Sequence, residues 1–174
     1  TQGAPANFVL APVNYGAFVA QLLEELGPEA GLKSVALALA NPPPSVEVFI
    51  HPKRLRRVFY NLVHNATDAM PPAGRVVFRF QVTAKEVVTE LEDGGPGIAP
   101  EMAGQLFQVF ATHGKAHGTG LGLFICKRIL TDHGGWIAAR NLPDGGAVFS
   151  FGLPRRPPEA AAAASLSGPA PATP

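Results

Sequence analysis

A single cysteine, Cys126, leaves this chain no internal disulfide, which fits a reducing compartment. Long hydrophobic runs are missing as well. Apolar residues make up 47% of the chain, yet no uncharged apolar stretch approaches the ~20 residues that a membrane-crossing helix needs. The first residues, TQGAPANFVLAP, lack the charged start and long apolar centre of a signal peptide. Neither sign of charge dominates: 14 Lys and Arg stand against 13 Asp and Glu. That balance supports neither nucleic acid nor a membrane surface as a partner. The one short basic cluster, Lys53, Arg54, Arg56 and Arg57, reads as the solvated face of a helix. The chain holds no Gly-Lys-Ser/Thr ending of a P-loop, no dinucleotide fingerprint and no internal repeat.

What is present is glycine and proline, 19 and 18 residues among 174, in a chain of single-domain length. Apolar residues at helical spacing predict a helix over 13–27, with Gly27 as its stop. KSVALALA and SVEVFIH read as two strands joined by the turn NPPPS. Pro52 opens the clearest helix, running to about Met70. Leu55, Val58, Phe59, Leu62, Val63, Ala66 and Ala69 form one stripe along it. RVVFRFQVTA and EVVTELED follow as a strand pair. A short helical segment is expected over 102–109 and a helix over 121–132, closed by His133-Gly134-Gly135. WIAARN and GAVFSFGL finish as a hairpin across LPDGG. Residues 1–154 thus form the expected domain, and the Pro/Ala-rich residues 155–174 a flexible tail. Strands in adjacent pairs with helices between them predict an α/β two-layer sandwich. Its sheet would be mixed and mostly antiparallel, covered on one face by about three helices.

Three stretches carry unusual chemistry. In NLVHNATDA, residues 61–69, Asn61, Asn65 and Asp68 line one flank of the apolar stripe. An Asn carboxamide oxygen there suits magnesium that keeps its other places for water and phosphate oxygens. Taken alone, the same residues also suit a plain solvated flank. In EDGGPGIAP, residues 92–100, Asp93 ends an apolar run among Gly94, Gly95 and Gly97. A buried carboxylate is satisfied by the amino group of adenine. Guanine offers a carbonyl there and would leave the carboxylate unpaired, at ~1–3 kcal/mol. In GTGLGL, Gly118, Gly120 and Gly122 bare the backbone just before a helix, as a phosphate cradle, a hinge or a tight turn would need. FQVFATHGKAH ahead of it reads as an anchored, mobile lid.

In this order the stretches resemble the ATP-binding catalytic domain of sensor histidine kinases, within the gyrase, chaperone, histidine kinase and MutL ATPase superfamily. NLVHNATDA resembles the N box, DGGPGI the first glycine box, LFQVF the F box and GTGLGL the second glycine box. The resemblance covers about residues 10–154 and implies the Bergerat fold, with ATP and Mg2+ as cofactors. It implies a catalytic set of Asn61, Asn65 and Lys115, with Asn65 on the metal and Asn61 supporting the phosphates. Asp93 would accept from the adenine amino group, with Gly95, Gly97 and Ile98 around the base. Phe110, Gly118, Thr119, Gly120, Leu121 and Gly122 would meet the nucleotide from the lid side, and Asp68 is counted with them. Three positions depart from the pattern. Relatives carry Lys-Tyr where this chain has Asp68-Ala69, which removes a phosphate contact and an adenine stack. Gly114 takes the place of the lid lysine, with Lys115 next, and Ala147 that of a threonine near the base.

None of the five histidines suits a phosphoacceptor. His64 reads as surface, His51 as a turn residue and His133 as a helix cap. His113 and His117 lack a third ligand for zinc. The acceptor histidine would sit on a dimerisation helix, and the start of this chain reads as a cut just after such a helix. The implied function is therefore phosphoryl transfer from ATP to that histidine, with a response regulator downstream. The implied location is the cytoplasm, whether or not the parent is membrane-anchored. A water-activating ATPase or an anti-sigma-type serine kinase needs a glutamate one turn before the magnesium asparagine. Asn61 stands there instead. A nucleotide-binding module without catalysis is the remaining alternative.

Overall fold

Pro52 at the first turn, His51 as N-cap and an unbroken apolar stripe produce the helix that organises the molecule, α2 (Pro52–Ala69). Leu55, Val58, Phe59, Leu62, Val63 and Ala66 on that stripe are all buried. The computed structural model describes residues 8–109 and 121–157. Its elements run β1 (Ala11–Asn14), α1 (Tyr15–Leu32), β2 (Ala36–Leu39), β3 (Glu47–Ile50), α2, β4 (Arg75–Val82), β5 (Glu86–Asp93), α3 (Gly122–Asp132), β6 (Trp136–Asn141) and β7 (Ala147–Pro154). A five-stranded sheet has the order β2-β4-β5-β7-β6, and β1 and β3 form a separate two-stranded sheet. Among the described residues, only β2 against β4 is parallel; the other pairs are antiparallel. Three helices with this mixed, mostly antiparallel sheet are the two-layer sandwich expected from the strand pairing.

Alternation fixes which sheet face the helices cover. Along β5, Val87, Thr89, Leu91 and Asp93 point inward while Glu86, Val88, Glu90 and Glu92 stay partly exposed. Phe59 of α2 anchors the buried layer. It stacks on Phe78 at 6.4 Å and meets Phe151 edge-on at 5.5 Å and Phe18 at 6.1 Å. Truncating such a residue to alanine typically costs ~3–5 kcal/mol. The Tyr15 hydroxyl reaches Thr89 Oγ1 across this core, so both buried polar groups are satisfied. Burial raises the Tyr15 pKa well above its ordinary value, against the smaller opposite effect of Thr89.

Local structure departs from the sequence pattern at four places. Helix α1 begins two residues late and runs through Gly27 and Pro28 to Leu32. Pro28 is exposed, so the hydrogen bond it cannot donate is lost on the solvent side. Leu26 and Ala30 beside it are buried, and their packing carries the helix onward. Residues 11–14 form β1, a strand too short to show alternation, which pairs with β3. Both strands expected around NPPPS form, as β2 and β3, but they belong to different sheets and do not pair. Prolines 42–44 supply no ladder donors, and the Pro44 carbonyl instead lies where a Cβ on Gly16 would come within 2.9 Å. Over 102–109 no helix forms. A single 3-10 turn, Pro100–Met102, is followed by turns, and Phe107 packs edge-on against Phe149 at 6.4 Å. Beyond β7, the Arg155 N–H donates to the Lys85 carbonyl at 2.9 Å. The remainder of the expected tail, residues 158–174, lies outside the described residues.

Candidate functional site

Asp93 is the last residue of β5, and the two neighbouring strands face it with Val76 and Ala147. It is 4% exposed, the least accessible carboxylate among the described residues. Burial raises its pKa above the usual aspartate value. The N–H groups of Gly95 and Ala147 oppose that rise, and Glu92 adds to it. The Gly95 N–H donates to Oδ1 at 2.9 Å, which fixes the direction of the carboxylate. An acceptor so enclosed, at the mouth of a glycine loop, is suited to a neutral donor such as an amino group.

Two of the three glycines after Asp93, Gly95 and Gly97, sit where neighbours leave no room for a side chain; a Cβ on Gly94 would meet nothing within 4 Å. A Cβ on Gly95 would lie 3.0 Å from Asp93 Oδ1 and 3.1 Å from the Ala69 carbonyl. The end of α2 and the end of β5 therefore meet at this residue. Gly146, from the β6–β7 turn, has φ +95, and a Cβ there would lie 2.1 Å from the Asp93 carbonyl oxygen. Gly97 has φ +81, in the left-handed region that favours glycine.

On α2, Asn61 and Asn65 are both half-buried, one turn apart on the flank nearest α3. The Asn61 Nδ2 donates to the Gly122 carbonyl at 3.2 Å, tying α2 to the first residue of α3. Cys126, one turn further along α3, is fully buried beside the same asparagine. Its thiol lies 3.8 Å from the Val58 carbonyl. Burial pushes this thiol up to about 12, while Asn61 and Arg57 act the other way. It is therefore a packed, unreactive thiol. Asp68, next along the flank, is exposed and forms an ion pair with Lys33 from the C-terminal cap of α1.

Along the C-terminal half of α2 the fold thus sets Asn61 against Gly122 at the start of α3, where Leu121 is the N-cap, and Ala69 against Gly95 beside Asp93, with Asn65 between the two contacts on the helix and Gly97 and Ile98 further along the loop. Phe110, Lys115, Gly118, Thr119 and Gly120 lie outside the described residues, as do His113, Gly114 and His117. A cleft of about 270 Å³ between α1 and the first turn of α2, lined by Phe18, Gln21, Leu22, Pro52, Lys53 and Arg56, contains none of the candidate residues. Sequence reasoning missed Lys33, Gly146 and Asn141. The Asn141 side chain at the end of β6 holds Ile98 of the glycine loop. Only the Gly-Gly pair at 145–146 gave a local signal, and it reads equally well as a plain hairpin turn.

The family profile described as histidine kinase-, DNA gyrase B- and HSP90-like ATPase matches residues 50–157, the stretch that carries α2, Asp93, the glycine loop and α3. The chain belongs to this ATPase family. Among curated relatives it is similar to the sensor histidine kinase ZraS of Salmonella typhimurium. The two are 32% identical over 155 residues, covering 86% of this chain and 32% of ZraS. Among solved structures, the catalytic domain of the histidine kinase ThkA superposes with a TM-score of 0.74 at 27% identity, covering 85% of this chain and 99% of that one. Full-length ShkA, solved in complex with AMPPNP, gives 0.73 at 29% identity over 88% of this chain and 33% of its own. The chain therefore spans about a third of the length of ZraS and of ShkA. Membership of the ATPase family agrees with the four boxes read in the sequence, and the fold agrees with the one they implied. Among the described residues, no helix is long and apolar enough to cross a membrane.

Proposed function

We propose that this domain binds ATP with Mg2+ and donates the γ-phosphoryl group to a histidine on a separate dimerisation segment of its parent protein. The observation that carries the reading is the enclosed Asp93 carboxylate, oriented by the Gly95 N–H at the start of a glycine loop. Asp93 accepts from the adenine amino group, and Gly95, Gly97 and Ile98 line the base. The AMPPNP bound by ShkA, an ATP analogue on a similar fold, supports the choice of nucleotide.

The donor set fits a magnesium that arrives with the nucleotide. Asn65 offers one neutral amide oxygen, and phosphate and water oxygens would complete the shell. No group of three His, Cys, Asp or Glu side chains among the described residues could hold a metal by itself. Magnesium supplies neutralisation of the phosphate charge when it is bound. Asn61 holds the first turn of α3 against α2, so the N-terminus of α3 is fixed where its free amides can face the phosphates. Phe110, Lys115 and Thr119 are assigned nucleotide contacts by the family resemblance alone. The nitrogen of the acceptor histidine attacks the γ-phosphorus. The bond from that phosphorus to the bridging oxygen breaks, and ADP leaves with the electron pair. The work is positioning and electrostatic stabilisation.

Asp68 forms its ion pair with Lys33 and enters this scheme only through that pair. A response regulator downstream and a cytoplasmic site of action follow from the same reading. The test is to mix the domain with a histidine-bearing dimerisation segment and γ-labelled ATP. Acid-labile, base-stable label on the segment is the expected result. Acid-stable label would point to the serine-kinase alternative, and free phosphate without labelled protein to an ATPase.

A further inference from the structure

Asn141, the last residue of β6, uses its carboxamide to close both backbone groups of Ile98. Its Oδ1 accepts from the Ile98 N–H at 2.6 Å, and its Nδ2 donates to the Ile98 carbonyl at 2.9 Å. A side-chain amide presents the same donor and acceptor as a peptide unit. The pair is therefore one rung of a ladder, made by a side chain where the glycine loop forms no strand. Gly97 is shaped to this contact: a Cβ there would lie 2.8 Å from Asn141 Oδ1. The other end of the loop is held by the Gly95 N–H on Asp93 Oδ1. One anchor is thus the carboxylate itself, and the other is Asn141.

We propose that Asn141 is a positioning residue for base specificity, acting through the loop and touching no substrate atom. With Ile98 clamped, Gly97 stays against Asn141 and Gly146 and Gly95 stays against Asp93, whose carboxylate keeps the direction that accepts an amino group and rejects a carbonyl. Without the clamp the loop is held at one end only, and the Gly95 N–H that orients Oδ1 can shift, leaving the carboxylate with the Ala147 N–H alone. This inference rests on Asp93 reading adenine. The molecule contains its own control. Asn41, after β2 at the opposite edge of the sheet, closes the N–H and carbonyl of Phe80 with the same two bonds, at 2.9 and 2.8 Å. Removing that clamp changes stability by the same chemistry but touches no part of the site.

The experiment titrates the wild-type domain, Asn141→Ala, Asn141→Asp and Asn41→Ala with ATP and GTP in magnesium by calorimetry, and records each melting temperature. For Asn141→Ala, the loss of two hydrogen bonds should reduce ATP affinity about tenfold and shrink the ATP-over-GTP preference by a similar factor. Asn41→Ala should melt lower as well, yet keep the wild-type preference. Asn141→Asp keeps the shape and the acceptor for the Ile98 N–H but turns an acceptor toward the Ile98 carbonyl. It should lose preference as the alanine variant does, and it serves if the alanine variant fails to fold. A wild-type preference in the Asn141 variants overturns the inference, and so does an equal loss in Asn41→Ala. A wild-type domain indifferent to the base overturns the Asp93 reading, and this one with it.

Discussion

The imidazole of His133 accepts the backbone N–H of His51 at 3.0 Å, joining the C-terminal cap of α3 to the N-cap of α2. Its other nitrogen, Nδ1, lies 2.7 Å from the Ile129 carbonyl. Since Nε2 accepts, Nδ1 carries the proton, and both ring nitrogens are satisfied only in the neutral ring. Phe8 meets His133 edge-on and stacks on His51, so the entering chain closes over this junction.

Acidification should therefore loosen the domain. Burial lowers the His133 pKa below 6.5. His51 and Arg54 add to that shift, against the Ile129 carbonyl and Asp132. The folded state binds this proton less readily than the unfolded chain does. The stability due to His133 is thus complete above pH 6.5 and falls as the pH drops from there toward the lowered folded value. Urea denaturation at a series of pH values from 7.5 downward should show this slope, and His133→Asn should flatten it while lowering stability at neutral pH. Equal slopes in the two proteins would assign the effect to another group.

Elements whose cause is local could be read from the sequence. The stripe on α2 needed only its own spacing, and six of its seven members are buried. Asp93 stood out because it ends a period-two strand at a run of glycines. What could not be read depends on distant residues. The strand β1 exists because β3 offers it a ladder. Helix α1 passes Pro28 because Leu26 and Ala30 are buried. Asn141 acts on a loop 43 residues earlier in the chain, so nothing near it in sequence announces the contact. Lys33 meets Asp68 across 35 positions in the same way.

Two adjacent glycines should separate backbone strain from steric exclusion. Gly145 and Gly146 have φ +97 and +95, so alanine at either adopts an unfavourable backbone, at ~1–2 kcal/mol. A Cβ on Gly145 meets nothing within 4 Å, whereas one on Gly146 meets the Asp93 carbonyl oxygen at 2.1 Å. Gly146→Ala should cost a further ~1–3 kcal/mol, because the turn must move away from β5. It should also weaken ATP binding, which Gly145→Ala should spare. Denaturation and calorimetry on the pair decide the matter; equal behaviour would mean that the turn moves freely relative to Asp93.

The isolated domain should hydrolyse ATP negligibly. Asn61 stands where a general base would be needed, and its amide is already engaged with the Gly122 carbonyl at 3.2 Å. An amide cannot take up the proton of an attacking water at neutral pH. Phosphate release well below ~1 per second, the low end for working enzymes, is the expected measurement. Faster turnover would place the domain among the water-activating members of its family.

Asp93→Asn should divide binding from stability. In the apo domain the buried carboxylate is a liability: its pKa is raised, chiefly by burial. A raised carboxylate pKa means that the folded state holds the proton more tightly than the unfolded chain. The stability associated with Asp93 is then present at low pH and declines as the pH rises from 3.8 through the raised value. Asparagine removes that dependence and still offers an oxygen to the Gly95 N–H. The melting temperature at neutral pH should therefore hold or rise. Adenine, in contrast, should lose a charge-assisted partner, and the amide NH2 can now face a guanine carbonyl. ATP affinity should fall by about tenfold or more, with the ATP-over-GTP preference narrowing or reversing. A variant that melts lower while binding ATP normally would show that Asp93 serves the fold and not the base.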